Sequence, residues 1–257
     1  MRFPFRLGAG LFKAELSGLF VGAPSAPPIL RFNPCNTHLA GLRSDEASTE
    51  LEWHSPAECV ACIRAISSPV VWVGGTEPLL HPEIGAVADA IVGTGRFAFV
   101  HTGGYNLRQS IHEFRPDSRL FLTLEFAGRE EAHNKAAARP DAFHRSIEAI
   151  RAAKLSGFLV AAHVTVNRET DTCDIGELIE CLDKKDVDGF IVTSGGQLAK
   201  ERDAKLQEVV DESREMIRCG RWERFSKLLD ASYADFSAET ARQKLASTGE
   251  NAFEEGD

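Results

Sequence analysis

Six apolar, β-rich runs alternate with helical stretches along most of the chain, and this alternation limits the fold more than any other feature. The runs are "ILRFN" (29–33), "VVWVG" (70–74), "FAFVHT" (97–102), "LFLTLEF" (120–126), "FLVAAHVTV" (158–166) and "GFIVTS" (189–194). Their near-continuous hydrophobicity suits parallel strands buried on both faces. The stretches between them carry helix signals. In "SPAECVACIRAI", Ser55 stands as N-cap, Pro56 at the first helical position and Glu58 two further on, which makes a capping box. "HPEIGAVADAIVGTG" begins after a proline and ends in glycines, while "DAFHRSIEAIRAAKLSG" sets Phe143, Ile147 and Ile150 on one stripe and stops at Gly157. Such alternation predicts an α/β fold, either an open doubly wound sheet or a partial barrel.

The ends of the chain differ from this middle. Residues 1–28 mix basic, apolar and small residues as a signal peptide does, but Lys13 and Glu15 interrupt the apolar run. They predict an amphipathic helix packed on its own domain, a type of helix that can also make peripheral contact with a membrane. No apolar run approaches the roughly 20 residues that cross a bilayer. After the barrel-like region (29–196) comes charged helical sequence (197–243), then an acidic, polar stretch (244–257) that reads as disordered. A net charge of −9 argues against a general nucleic-acid binder. The six cysteines show no disulfide-framework spacing, which points to reduced thiols in a cytoplasmic protein.

Chemistry-bearing residues gather at the ends of the strands. "GGTEPLLHPEI" (74–84) follows the second strand, where small residues let the backbone approach a ligand. A strand-ending turn capped by Glu77 and Pro78 would look the same without a ligand. His101, Glu125 and His163 lie near the ends of strands three, four and five. Two imidazoles and a carboxylate suit zinc or another divalent ion with an open position. The alternative is that they hydrogen-bond one another inside an apolar barrel. Cys59 and Cys62 fall on the capped helix, where packing explains them. His81 is read as part of a helix-initiating turn and His133 as part of a polar rim loop. Just after the first apolar run stands "CNTHLAGL" (35–42), a cysteine-loop outline with one cysteine in it.

Taken in order, "CNTHLAGL", "AECVACIRAISSPVVWVGGTEPLLHPEI", "REEAHNKAAARPDAFHRSIEAIRAAKLSGF" and "DVDGFIVTSGG" resemble the radical SAM superfamily. Within it they resemble the adenosylhopene transferase branch and its relatives, over about residues 1–196. The resemblance implies a partial (β/α)6 TIM-like barrel with a C-terminal helical extension. It also places Gly74, Gly75, Thr76 and Glu77 at the element that meets the methionine amino group of S-adenosylmethionine, with Thr76 where a glycine is common. The family's cluster loop is C-x-x-x-C-x-x-C. Here Cys35 holds the first position, but Leu39 and Leu42 hold the other two, and His38 could be a ligand only together with Cys35. One thiolate cannot retain a cubane, so the loop reads as degenerate and a [4Fe–4S] cluster is not expected. Gly103, Glu125 and Ala127 also depart from the family at strand ends. The expectation is a degenerate radical SAM-like protein without radical chemistry, binding a small molecule or serving as a non-catalytic partner, for instance of an active paralogue. Two alternatives stay open. One is an active S-adenosylmethionine-dependent enzyme with Cys35, Cys59 and Cys62 as remodelled ligands, acting on an isoprenoid, lipid-like or other small substrate. The other is a metal-dependent or metal-free enzyme that uses the barrel mouth for non-radical chemistry.

Overall fold

The computed structural model describes residues 1–20, 26–35, 52–197 and 203–233; His38, Leu39, Leu42 and the acidic stretch 244–257 lie outside them. The chain opens with α1 (Phe5–Phe20) and β1 (Ile29–Phe32), followed by α2 (Pro56–Arg64), β2 (Val70–Val73), α3 (Ile84–Gly93) and β3 (Phe97–Thr102). Then come α4 (Leu107–Ser110), β4 (Leu120–Phe126), α5 (Glu130–Ala136), α6 (Ala142–Leu155), β5 (Leu159–Thr165), α7 (Thr172–Asp183) and β6 (Gly189–Thr193). Two helices follow, α8 (Ala204–Glu215) and α9 (220–233). The capping box forms as expected: Glu58 N–H donates to Ser55 Oγ (3.4 Å), and Ser55 N–H donates to Glu58 Oε2 (2.7 Å).

The strands form one parallel sheet in the order β1-β2-β3-β4-β5-β6. A doubly wound sheet needs a reversal in strand order, and this order has none. The sheet is therefore a curled half-barrel, which decides between the two folds the sequence left open. Its two edges face each other across Tyr233 of α9. The Arg31 guanidinium of β1 lies 3.4 Å from the Tyr233 ring centre, and a Cβ built on Gly196, just after β6, would meet Tyr233 Cβ at 2.7 Å.

The expected C-terminal extension is in fact partly internal. Trp222, Phe225 and Leu229 of α9 are fully buried, and they fall at i, i+3 and i+7, one helical stripe. Phe225 packs 4.8 Å from Phe99 and Trp222 5.7 Å from Phe121, while Phe99 and Phe121 stack at 4.5 Å. The concave side of the sheet is thus filled by an aromatic layer shared between strands and helix. Burying each such side chain stabilises by roughly 1.5–3 kcal/mol.

The N-terminal helix closes the other end. Leu7 and Leu11 are buried, Arg2 N–H donates to the Asp188 carbonyl (2.8 Å) just before β6, and Gly10 lies against Pro69 just before β2. α1 therefore covers the N-terminal ends of the strands, as a helix packed on its own domain. It also touches α9, with Phe3 and Trp222 ring centres 4.8 Å apart and an Arg224–Glu15 ion pair. Its outer stripe leaves Phe5, Phe12 and Leu16 exposed. No described helix is long and apolar enough to cross a membrane.

Candidate functional site at the barrel mouth

Side chains alternate along a strand, so residues two apart share a face. On β3 the inward set includes Phe99 and His101; on β4 it includes Phe121, Thr123 and Glu125; on β5 it includes His163. The register sets His101 beside Thr123 and Glu125 beside His163. One ligand atom from each of His101, Glu125 and His163 lies within 4.8 Å of the others, so the three predicted residues do converge. His163 Nδ1 is 2.9 Å from His101 Nε2, and His163 Nε2 is 2.9 Å from Thr193 Oγ1 on β6. The Thr165 hydroxyl reaches Glu125 Oε1 at 3.5 Å.

Burial holds both imidazoles below the ordinary histidine range. For His163 the shift is large, and neighbouring His101 and Arg31 add to it. For His101, Glu125 and Glu77 oppose the burial effect and Arg31 reinforces it. Burial therefore favours the neutral form of both rings, in which each carries one N–H and one bare nitrogen. Trp72 lies against both, its ring centre 5.0 Å from His101 and 5.3 Å from His163. Its indole N–H is buried and has no hydrogen-bond acceptor among the described residues. A Cβ built on Gly74 would sit 3.4 Å from that nitrogen and 3.6 Å from His101 Nδ1, so Gly74 leaves a small gap in front of both.

The loop after β2 is organised around Asn33, which the sequence reading missed. Gly75 has φ +103°, which favours glycine, and a Cβ there would crowd the Asn33 side chain at 3.1 Å. Asn33 Nδ2 donates to buried Thr76 Oγ1 (3.4 Å), and Asn33 Oδ1 accepts from Cys35 N–H (3.2 Å). Glu77 joins two loops: its carboxylate accepts from Leu79 N–H (3.1 Å) and Gly103 N–H (3.0 Å). Gly74, Gly75, Thr76 and Glu77 therefore make the capped, strand-ending turn.

The thiols do not gather. Cys35 is buried and bridged to Trp53; Cys59 is buried with its Sγ 3.6 Å from the His54 carbonyl; Cys62 is exposed. Burial pushes the Cys59 thiol up to about 11, against thiolate formation. Among the described residues, His101, Glu125 and His163 are the one group of three or more histidine, cysteine or acidic side chains placed to share an ion. His81 does belong to a turn, with Nδ1 accepting from Glu83 N–H (2.9 Å) and Nε2 2.8 Å from the His54 carbonyl. His133 differs from expectation. It sits in α5, buried, with Nδ1 3.4 Å from Ala127 N and Nε2 3.5 Å from Ser146 Oγ, because the helix turns it under Phe126.

A second polar cluster follows β6. The Asp230 carboxylate of α9 accepts from Ser194 N–H (3.1 Å), Ser194 Oγ (2.8 Å), Gly196 N–H (3.3 Å) and Arg214 Nη2 (2.8 Å). Consecutive backbone N–H groups around residues of positive φ make an anion-binding concavity; Gly195 and Gly196 have φ +62° and +80°. The chain fills this one with its own carboxylate.

No family model and no curated protein matches the chain. Solved structures do. SuiB of Streptococcus suis bound to S-adenosylmethionine matches at 16% identity and TM-score 0.52, over 73% of this chain and 42% of that one. SuiB bound to its precursor peptide SuiA matches at 18% identity and TM-score 0.52, over the same shares. This chain thus spans less than half of SuiB, and at such identity the likeness shows a common fold.

Proposed function

We propose that the chain is a radical SAM-like barrel that has lost the [4Fe–4S] cluster and radical chemistry and works as a binding protein or non-catalytic partner. The observation that carries this reading is the placement of the thiols. Cys35 and Cys59 are buried, Cys62 faces solvent, and no three thiols come together among the described residues. Leu39 and Leu42 stand where the resemblance would require the other two cluster ligands. The filled interior supports the same conclusion, since α9 takes up the concave space and Asp230 takes up the cradle after β6. The S-adenosylmethionine in SuiB and the resemblance of the Gly74–Glu77 turn make that molecule the first small ligand to test. For a protein partner, the exposed Phe5, Phe12 and Leu16 stripe offers an apolar contact surface.

Anaerobic reconstitution with iron and sulfide tests the cluster directly. The protein should stay colourless and gain no sulfide-linked iron. Incorporation of about four irons per chain with charge-transfer absorbance would overturn the proposal. Calorimetric titration with S-adenosylmethionine is a separate measurement that decides whether the ligand survived the cluster.

A further inference from the structure

We propose that His101, Glu125 and His163 form a mononuclear centre for a divalent metal ion of the zinc class, with one open position that holds water or a small anion. Such a centre goes beyond the non-radical reading and does not depend on it. Two imidazoles and one carboxylate are a recurrent three-ligand set for zinc that keeps a fourth position open. The three residues stand on adjacent strands with one ligand atom of each within 4.8 Å of the others, and the strand register fixes where they stand.

Three details bear on whether a metal or a simple hydrogen-bonded relay fits these residues, and the last of them favours the metal. The first is tautomer control. His163 Nε2 lies 2.9 Å from Thr193 Oγ1, which also accepts from Gly195 N–H at 3.4 Å. When Nε2–H donates to Thr193, His163 presents a bare Nδ1, as metal-ligating histidines do, and an ion then requires His101 to carry its proton on Nδ1. The second is spacing. Two nitrogens bound tetrahedrally at about 2.0–2.1 Å lie about 3.3 Å apart. The His163 Nδ1 to His101 Nε2 distance is 2.9 Å and the three ligand atoms span up to 4.8 Å, so loading needs the two rings to part by a few tenths of an ångström and the Glu125 carboxylate to close in. The third is Trp72. A relay of His101, His163 and Thr193 satisfies those three groups but leaves the buried Trp72 indole N–H without an acceptor. An oxygen bound in the mouth, where Gly74 leaves a gap beside that N–H, would supply the acceptor. Charge is consistent as well. Glu125 and Glu77 offset part of the ion's charge, while Arg31 acts against a bare cation and favours an anion bound with it.

The test uses the full chain, stripped with a chelator and titrated with zinc(II) and with cobalt(II) as the spectroscopic probe. One ion per chain, a cobalt ligand-field spectrum of low coordination number and a raised melting temperature are expected. Thr193→Val should weaken binding roughly 10- to 100-fold, as loss of an outer-shell partner does. His163→Gln and Glu125→Gln should abolish the cobalt spectrum. Failure of the wild-type chain to bind either ion would overturn the proposal, whatever the variants do. So would an unchanged spectrum in a folded His101→Gln, His163→Gln double variant. Iron–sulfur reconstitution is read apart from this, because it involves neither these residues nor these ions.

Discussion

At Gly189 the absence of a side chain is a packing requirement. A Cβ there would meet the Trp222 ring at 2.5 Å, and both lie in the buried interior. Gly189→Ala should destabilise the fold by about 1–3 kcal/mol, the usual cost of overpacking. Guanidinium denaturation checks it, and an unchanged midpoint would mean that α9 is not seated on β6. His133 gives a second prediction. Burial lowers its pKa, with Glu125 partly opposing, and Ala127 N–H points at its Nδ1. A proton on that nitrogen would set one N–H against another, so the folded state keeps the ring neutral. Below about pH 6.5 the unfolded chain therefore binds a proton that the folded chain refuses. Stability should be flat above that pH for this group and fall as pH drops through it, and His133→Asn should flatten the fall. Denaturation midpoints at successive pH values from 7.5 downward test this. The sequence showed that His101, Glu125 and His163 sit at neighbouring strand ends, and strand alternation brought them together. Asn33, Trp72 and Thr193 were not legible, because their roles come from contacts with Gly75, His101 and His163 that no local pattern encodes.

The elements best read from sequence are those whose signals are local. α2 begins where Ser55, Pro56 and Glu58 say it should, and Ser55→Ala should cost about 1 kcal/mol of stability in thermal or chemical unfolding. The parallel strands were legible from their unbroken hydrophobicity, to within a residue at each end. The destination of α9 was not. "RWERFSKLLD" has its apolar residues at helical spacing among charges, which is also how an ordinary surface helix looks. Periodicity gives the buried face of a helix and says nothing about what covers it. His133 failed for a related reason: "EEAHNK" is polar, yet α5 turns this one residue inward beneath Phe126 and Phe143.

Across the whole molecule, the Asp230–Arg214 pair ties α9, α8 and the loop after β6 together. Both side chains are about nine-tenths buried, and Asp230 also satisfies Ser194 and Gly196. Asp230→Ala should destabilise by about 3–5 kcal/mol, since it strands a buried guanidinium. Replacing both residues with apolar ones should recover part of that loss, which a double-mutant cycle would measure. The fold as a whole was legible because six strand–helix units in series leave few arrangements, and the structure chose the one without a switch point. The contact between α1 and α9 has a consequence for how the protein is made. Glu15 and Arg224, which pair across that contact, are 209 positions apart in sequence. At about 5–20 residues per second of synthesis, the first helix waits roughly 10–40 s for its partner to be made. During that wait its apolar face has only the growing barrel to rest on. α9 therefore acts as a completion signal: until it is synthesised, the hollow of the barrel stays open and the inward aromatic rings of β3 and β4 lack the helix they pack against.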